Sequence, residues 1–166
     1  VPGSVTEGDG LLTNAGMVSV SGVVTGDTQI ALFSSDMSEV TVPASVTILQ
    51  GQSSALFDVD VLDDLEHDGL QNLWIVASAP NFVTDFEPMS VADNDLYHFI
   101  FGEIETQQVA GVAFVVDVQA QTIDGLTLTN YNVTQPLHAV GDSGSLPVDP
   151  SSTDFLAGQW AGDVTL

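Results

Sequence analysis

The sequence predicts an all-β fold arranged as two β-sandwiches in tandem. Three observations predict it. Apolar residues recur with a period of two in several short runs, turn-forming residues separate those runs at roughly 8–12-residue spacing, and no segment carries a sustained 3.6-residue apolar period with helix caps.

In chain order, the first strands are expected near 17–24, 29–33 and 46–49, bounded by Gly8-Asp9-Gly10, Thr25-Gly26-Asp27 and Gln50-Gly51-Gln52. Phe57, Val59 and Val61 then alternate with Asp58 and Asp60, which gives a half-buried strand whose two aspartates face solvent. After Asp68-Gly69, Leu73, Ile75 and Ala77 alternate with Trp74, Val76 and Ser78, so Trp74 points outward. A strand at 97–101 follows Asp93-Asn94-Asp95. Next, Phe114, Val116, Val118 and Ala120 alternate with Val115, Asp117 and Gln119. Further strands are expected at 127–131, after Asp124-Gly125, and at 163–166, with Gly141-Asp142-Ser143-Gly144 as a turn between them. The boundary falls at Asp93-Asn94-Asp95, dividing the chain into 1–95 and 96–166. The first piece is long enough for a seven-stranded immunoglobulin-like sandwich. The second is short against the ~100 residues of a complete one, and is expected to lack its last strand or strands or to receive them from another chain.

The composition is extreme. The 166 residues include 23 Asp and Glu and no Lys or Arg, a formal net charge of −23. No Lys or Arg salt bridge can form, so crowded carboxylates depend on an N-terminal amine, a protonated His or an external cation. The charge and the lack of basic side chains exclude nucleic acid as a partner. With 44% hydrophobic residues the chain can still build a core. Cysteine is absent, which excludes disulfides, thiolate zinc sites and thiol nucleophiles. The longest apolar stretch, 109–116, falls far short of the ~20 residues of a membrane span. Val1-Pro2-Gly3 is not the start of a signal peptide, so a mature fragment or a piece of a longer, exported protein is expected, one that resists trypsin-like proteases.

Six carboxylates fall within eleven residues: Asp58, Asp60, Asp63, Asp64, Glu66 and Asp68. Those from Asp63 onward lie beyond the strand end, where adjacent aspartates can converge on a hard cation. Unit charges ~4 Å apart repel by about 1 kcal/mol in water and ~4 kcal/mol at an effective dielectric of 20. Calcium, which takes several oxygen ligands in irregular geometry, relieves that repulsion. The alternative is a solvated acidic rim. The spacing is not that of an EF-hand.

In order and spacing, Val5-Thr6-Glu7-Gly8-Asp9-Gly10, Val42-Pro43-Ala44-Ser45-Val46-Thr47-Ile48, Gly51-Gln52-Ser53-Ser54-Ala55-Leu56-Phe57, Leu62-Asp63-Asp64 with Asp68-Gly69, Ile75-Val76-Ala77-Ser78-Ala79 and Val91-Ala92-Asp93-Asn94-Asp95 resemble the Calx-beta domain over residues 1–95. The resemblance implies calcium at one end of the sandwich, held by Glu7, Asp36, Asp63, Asp64, Asp93 and Asp95, with Glu66 and Asp68 as additional ligands. Asn94 stands where strong calcium binders of that family are acidic, which implies one or two Ca2+ ions bound more weakly. Residues 96–166 are similar to immunoglobulin-like repeats of large bacterial exported proteins, through His98-Phe99-Ile100-Phe101, Gln107-Gln108-Val109-Ala110-Gly111-Val112-Ala113-Phe114, Asp124-Gly125, Tyr131-Asn132-Val133-Thr134 and Phe155-Leu156-Ala157-Gly158-Gln159-Trp160-Ala161-Gly162-Asp163-Val164.

Catalysis is not expected. His67, His98 and His138 form no zinc motif, no nucleophile elbow is present, and the paired carboxylates sit on strand ends rather than in a dry cleft suited to glycoside hydrolysis. His67 is read as a neighbour of the acidic loop, and Trp160 as closing the second core. Asn132-Val133-Thr134 is a glycosylation sequon. The expected function is a non-catalytic structural or adhesive module of an extracellular, repetitive cell-surface protein, in which calcium stiffens the first domain and its junction with the second. Its partners would be neighbouring domains or copies of itself. Two alternatives stand beside it: a filament subunit that completes its second domain by strand donation, and an accessory module of an extracellular enzyme that binds polysaccharide through Trp74.

Overall fold

The structure, a computed structural model, describes residues 1–142 and 144–166. Every element among them is a β-strand, so no helix is long and apolar enough to cross a membrane. The chain forms two compact units, Val1–Asn94 and Asp95–Leu166.

The first unit contains β1 (Ser4–Thr6), β2 (Gly10–Ser19), β3 (Thr28–Ser34), β4 (Val40–Thr41), β5 (Ser45–Ile48), β6 (Ser54–Val61), β7 (Gln71–Ser78) and β8 (Asp85–Ala92). They form a sheet of order β1-β8-β7-β3-β5 and a sheet of order β2-β6-β4. Pairing is antiparallel except between β1 and β8, which run parallel with Ser4 opposite Ser90 and Thr6 opposite Ala92. The period of two turns one set of residues from each sheet into a shared core: Val5, Ile30, Leu32, Ile48, Leu73, Ile75, Met89 and Val91 from the larger sheet, and Val40, Phe57, Val59 and Val61 from the smaller. Burying each such side chain contributes about 1.5–3 kcal/mol, and this core holds the strand ends that carry the acidic residues.

β2 starts at Gly10, earlier than the alternation suggests, and ends at Ser19, so of the expected strand at 17–24 only 17–19 belong to it and 20–24 are not strand. Its register against β6 shifts between Leu12 and Gly16. In that bulge Asn14 has a φ of 56°, and its N–H donates to Asp58 Oδ1 at 2.7 Å. Asp58 therefore satisfies a backbone donor that the bulge removes from the ladder, a role beyond solvation. Past the bulge, Gly16 lies directly over the Phe57 ring, in space a Cβ would have to share with it. Gly16→Ala is expected to destabilise the protein by roughly 1–3 kcal/mol by displacing that ring, read as a lower midpoint in urea. An unchanged midpoint would show that the ring shifts without cost.

Away from the acidic strand ends, an open cleft of about 510 Å³ lined in part by Phe57 lies between the sheets. Asp85 and Glu87 share the parity of Met89 and Val91, so they face inward there. The Phe86 N–H donates to Asp85 Oδ1, and Pro88 has no N–H to offer. β1 covers only Ser90–Ala92, so the first half of β8 is an open edge, and its inward carboxylates and proline guard it against pairing with a foreign strand.

The second unit contains β9 (His98–Phe101), β10 (Phe114–Gln121), β11 (Thr134–Pro136), β12 (Ala139–Gly141), β13 (Gly144–Leu146), β14 (Ser152–Asp154) and β15 (Gln159–Val164). β10 lies between β15 and β9, and the pairs β11–β14 and β12–β13 form separate two-stranded sheets. Val116, Val118, Ala120, Leu128, Phe155 and Val164 make the core, with Trp160 packed against it. Phe99, Tyr131 and Phe155 meet with ring centroids 5.3–5.9 Å apart. The expected strand at 127–131 reduces to a single bridge between Thr127 and Gln121, because the Tyr131 N–H turns back to the Leu128 carbonyl. The strand expected at 163–166 lies earlier, with Trp160 opposite Val118. Of the expected turn at Gly141-Asp142-Ser143-Gly144, Ser143 lies outside the described residues, while Gly141 pairs with Gly144.

Candidate metal centre

Three strand ends meet at one pole of the first unit. The Glu7 N–H donates to the Ala92 carbonyl at 3.0 Å, and the Gly8 N–H to the Leu62 carbonyl at 2.9 Å. The end of β1 is thus held between the ends of β8 and β6. On the other side of β6, Val40 pairs with Val61, and the Leu62 N–H donates to the Glu39 carbonyl at 2.8 Å. These pairings bring the side chains of Glu7, Glu39 and Asp64 to one place. One carboxylate oxygen from each lies within 4.8 Å of the others, and Glu7 and Glu39 are only 5% and 4% exposed.

The electrostatics reflect that crowding. Burial, followed by repulsion from Asp64, pushes the Glu7 carboxyl up to about 7. Glu39 is also raised, by burial and then by Asp68, Asp36, Asp64 and Asp93. Asp68 is raised by burial and by Asp64 and Asp93. Glu7 Oε1 accepts the Asp64 N–H at 3.3 Å, whereas Glu7 Oε2 is buried with no hydrogen-bond partner. A buried acceptor of this kind, beside two further carboxylates in a chain without Lys or Arg, fits a hard divalent cation bound through oxygen.

The sequence-derived residues are distributed unevenly around this point. Asp64 belongs to the buried group, and Glu66 and Asp68 stand exposed in the loop that follows. The Glu66 N–H donates to Asp64 Oδ1 at 2.7 Å, which fixes the Asp64 side chain. Asp93 is buried at the end of β8, where its Oδ2 accepts the Gly69 N–H at 3.1 Å. Asp36 Oδ1 accepts both the N–H and the hydroxyl of Ser38, at 3.1 and 2.5 Å, and these bonds hold its carboxyl below the usual carboxylate range. From the segment between β3 and β4 it is Glu39, not Asp36, that reaches the buried group. Asp63 is exposed, and Asp95 is the first residue of the second unit. His67 is exposed in the acidic loop.

Asn94 has a definite task. Its Nδ2 donates to the Glu7 carbonyl at 2.6 Å and to Asp63 Oδ1 at 3.2 Å, so it neutralises by hydrogen bonding where an acid would add charge. Asn94→Asp is expected to weaken the metal-free protein by roughly 1–3 kcal/mol, since the Glu7 carbonyl loses its donor. The same change adds one carboxylate and releases Asp63, so calcium affinity should rise several-fold. Chelator melts and calcium titrations of the variant check both effects, and a variant unchanged in both would refute this role for Asn94.

No protein-family model matches the chain, and no curated protein matches it. Among solved structures, it is similar to the Pseudomonas aeruginosa CupB2 chaperone (12% identity, TM-score 0.36, covering 98% of this chain and 84% of that one) and to the YadV chaperone (10% identity, TM-score 0.35, 98% and 81%). It is also similar to CBD12 from CALX1.2, at 14% identity and a TM-score of 0.49, covering 98% of this chain and 71% of that one.

Proposed function

We propose that the chain is a non-catalytic, calcium-binding structural module of an extracellular, repetitive protein. One observation carries the calcium reading. Glu7, Glu39 and Asp64 bring carboxylate oxygens within 4.8 Å of one another, two of the three groups are buried, and the sequence contains no Lys or Arg to compensate them. Crowding and desolvating such charges without a counter-ion costs several kcal/mol, and a divalent cation supplies the missing charge.

In this reading Glu7, Glu39 and Asp64 hold the ion, with Asp93 beside them and Asp68 at the exposed rim. The ion ties the end of β1 to the ends of β6 and β8 and stiffens the segment that leads out of the first unit at Asn94. The exported setting is supported by the lack of Lys and Arg, which leaves trypsin-like proteases no cleavage site. Calorimetric titration with calcium tests the proposal. Saturable binding that disappears in Glu7→Gln is expected, and a native protein that takes up no calcium would refute it.

A further inference from the structure

The two sheets of the first unit have contrasting outer faces. On the β2-β6-β4 sheet, Asp58 and Asp60 have outward parity, opposite the inward Phe57, Val59 and Val61. The larger sheet differs: in a protein with 23 acidic residues, no outward-facing strand residue of β1, β8, β7, β3 or β5 is Asp or Glu. Its centre is aromatic instead. Phe33, Val76 and Phe86 lie directly opposite one another in a single row across β3, β7 and β8, and Trp74 opposite Pro88 forms the next row. Trp74, Phe33 and Phe86 are 50%, 53% and 56% exposed.

The platform is held in place by backbone pairing. β7 is hydrogen-bonded on both sides, and beside Trp74 the Ser35 hydroxyl accepts the Trp74 N–H while the Trp74 carbonyl accepts the Ser35 N–H, at 2.8 and 2.9 Å. Phe33 and Phe86 are two strand spacings apart, about 10 Å, and Trp74 stands roughly 7 Å along the sheet from their row. Around the rings lie neutral hydrogen-bonding groups, among them Gln29, Thr47, Asn72 and Ser90.

We infer that this face binds a neutral polysaccharide. Aromatic faces carry partial negative charge that attracts the weakly positive C–H groups of a sugar ring, and the spacing suits successive rings of an extended glycan. The amides and hydroxyls can exchange hydrogen bonds with sugar hydroxyls without burying charge. A polyanion is repelled by the net charge, and so is a second copy of the chain, which brings another −23. This inference is independent of the calcium site, which lies at the pole of the same unit.

The test is retention on insoluble cellulose and chitin and on gels containing soluble xylan, mannan or mixed-linkage glucan, with alginate and polygalacturonate as polyanions. The native protein should be retained by at least one neutral polymer and by neither polyanion. Trp74→Leu should lower that affinity about tenfold, whereas Trp74→Tyr keeps most of it, because the ring and not apolarity alone is what binds. Leu56→Ala, on the other sheet, should leave it unchanged. Three results would each overturn the inference: no retention on any neutral polymer, equal retention of native protein and Trp74→Leu, or a native dimer in sedimentation that Trp74→Leu dissociates.

Discussion

Calcium at a hundredfold excess over its dissociation constant is expected to raise the melting temperature of the first unit by roughly 10–20 °C. Binding to the native state alone contributes about 2.7 kcal/mol at that excess, and each kcal/mol moves the midpoint of a domain this size by about 4–8 °C. The effect would originate at Glu7, Glu39 and Asp64, whose carboxylate oxygens lie within 4.8 Å of one another and whose mutual repulsion one ion would relieve. Glu7→Gln and Glu39→Gln should each lose most of the shift, while Asp85→Asn, at the opposite end of the unit, should keep it. Scanning calorimetry in calcium and in chelator measures this directly, and coincident melts of the native protein under both conditions would refute it.

Without metal, the same residues should give the first unit an unusual pH dependence. Glu7 is raised from 4.5 to about 7 in the folded protein. Its proton is therefore bound more tightly in the folded state than in the unfolded state, and the resulting stability is complete below about pH 4.5 and is lost as pH rises through about 7. The shift corresponds to roughly 3 kcal/mol. Glu39 and Asp68 are raised as well and act in the same direction. Asp36 is lowered, so its contribution is lost only as pH falls through its own acid range. In chelator, stability should decline between pH 5 and 8, and Glu7→Gln should flatten the decline and be the more stable form at pH 8. Calcium should reverse the trend, since it binds the deprotonated carboxylates. Urea titrations at each pH, with and without calcium, provide the test, and a metal-free protein whose stability holds level or rises from pH 5 to 8 would contradict the assignment.

Strand parity was legible because it depends only on neighbours in sequence. Alternation in 57–61 and 73–78 turns Val59 and Leu73 inward and Trp74 outward, and the structure has them so. The bulge at Asn14 is not legible in this way, since it depends on which β6 residue meets it and on Asp58 accepting the freed N–H. Glu39 escaped notice for a similar reason. It is an isolated acid between Ser38 and Val40, and only the pairing of Val40 with Val61 carries it to the buried group. The one local signal was its place just ahead of the β-branched run Val40-Thr41-Val42. Asn94 looked like a missing ligand because its donors to Glu7 and Asp63 act across 87 and 31 residues. In the second unit, β11 to β14 have three residues each, too few to show a period, and Leu128 is buried without a strand around it.

The parallel pairing of β1 with β8 has a mechanical consequence. The first and last strands of the unit lie side by side and point the same way, so the two termini leave from opposite ends of the pair. Tension applied along the chain therefore loads the β1–β8 hydrogen bonds in shear, all at once, rather than peeling them apart in turn. An ion gripped by Glu7 and its neighbours sits at the end of that pair and would act as a rivet, converting a short three-residue strand into the part of the unit that resists pulling.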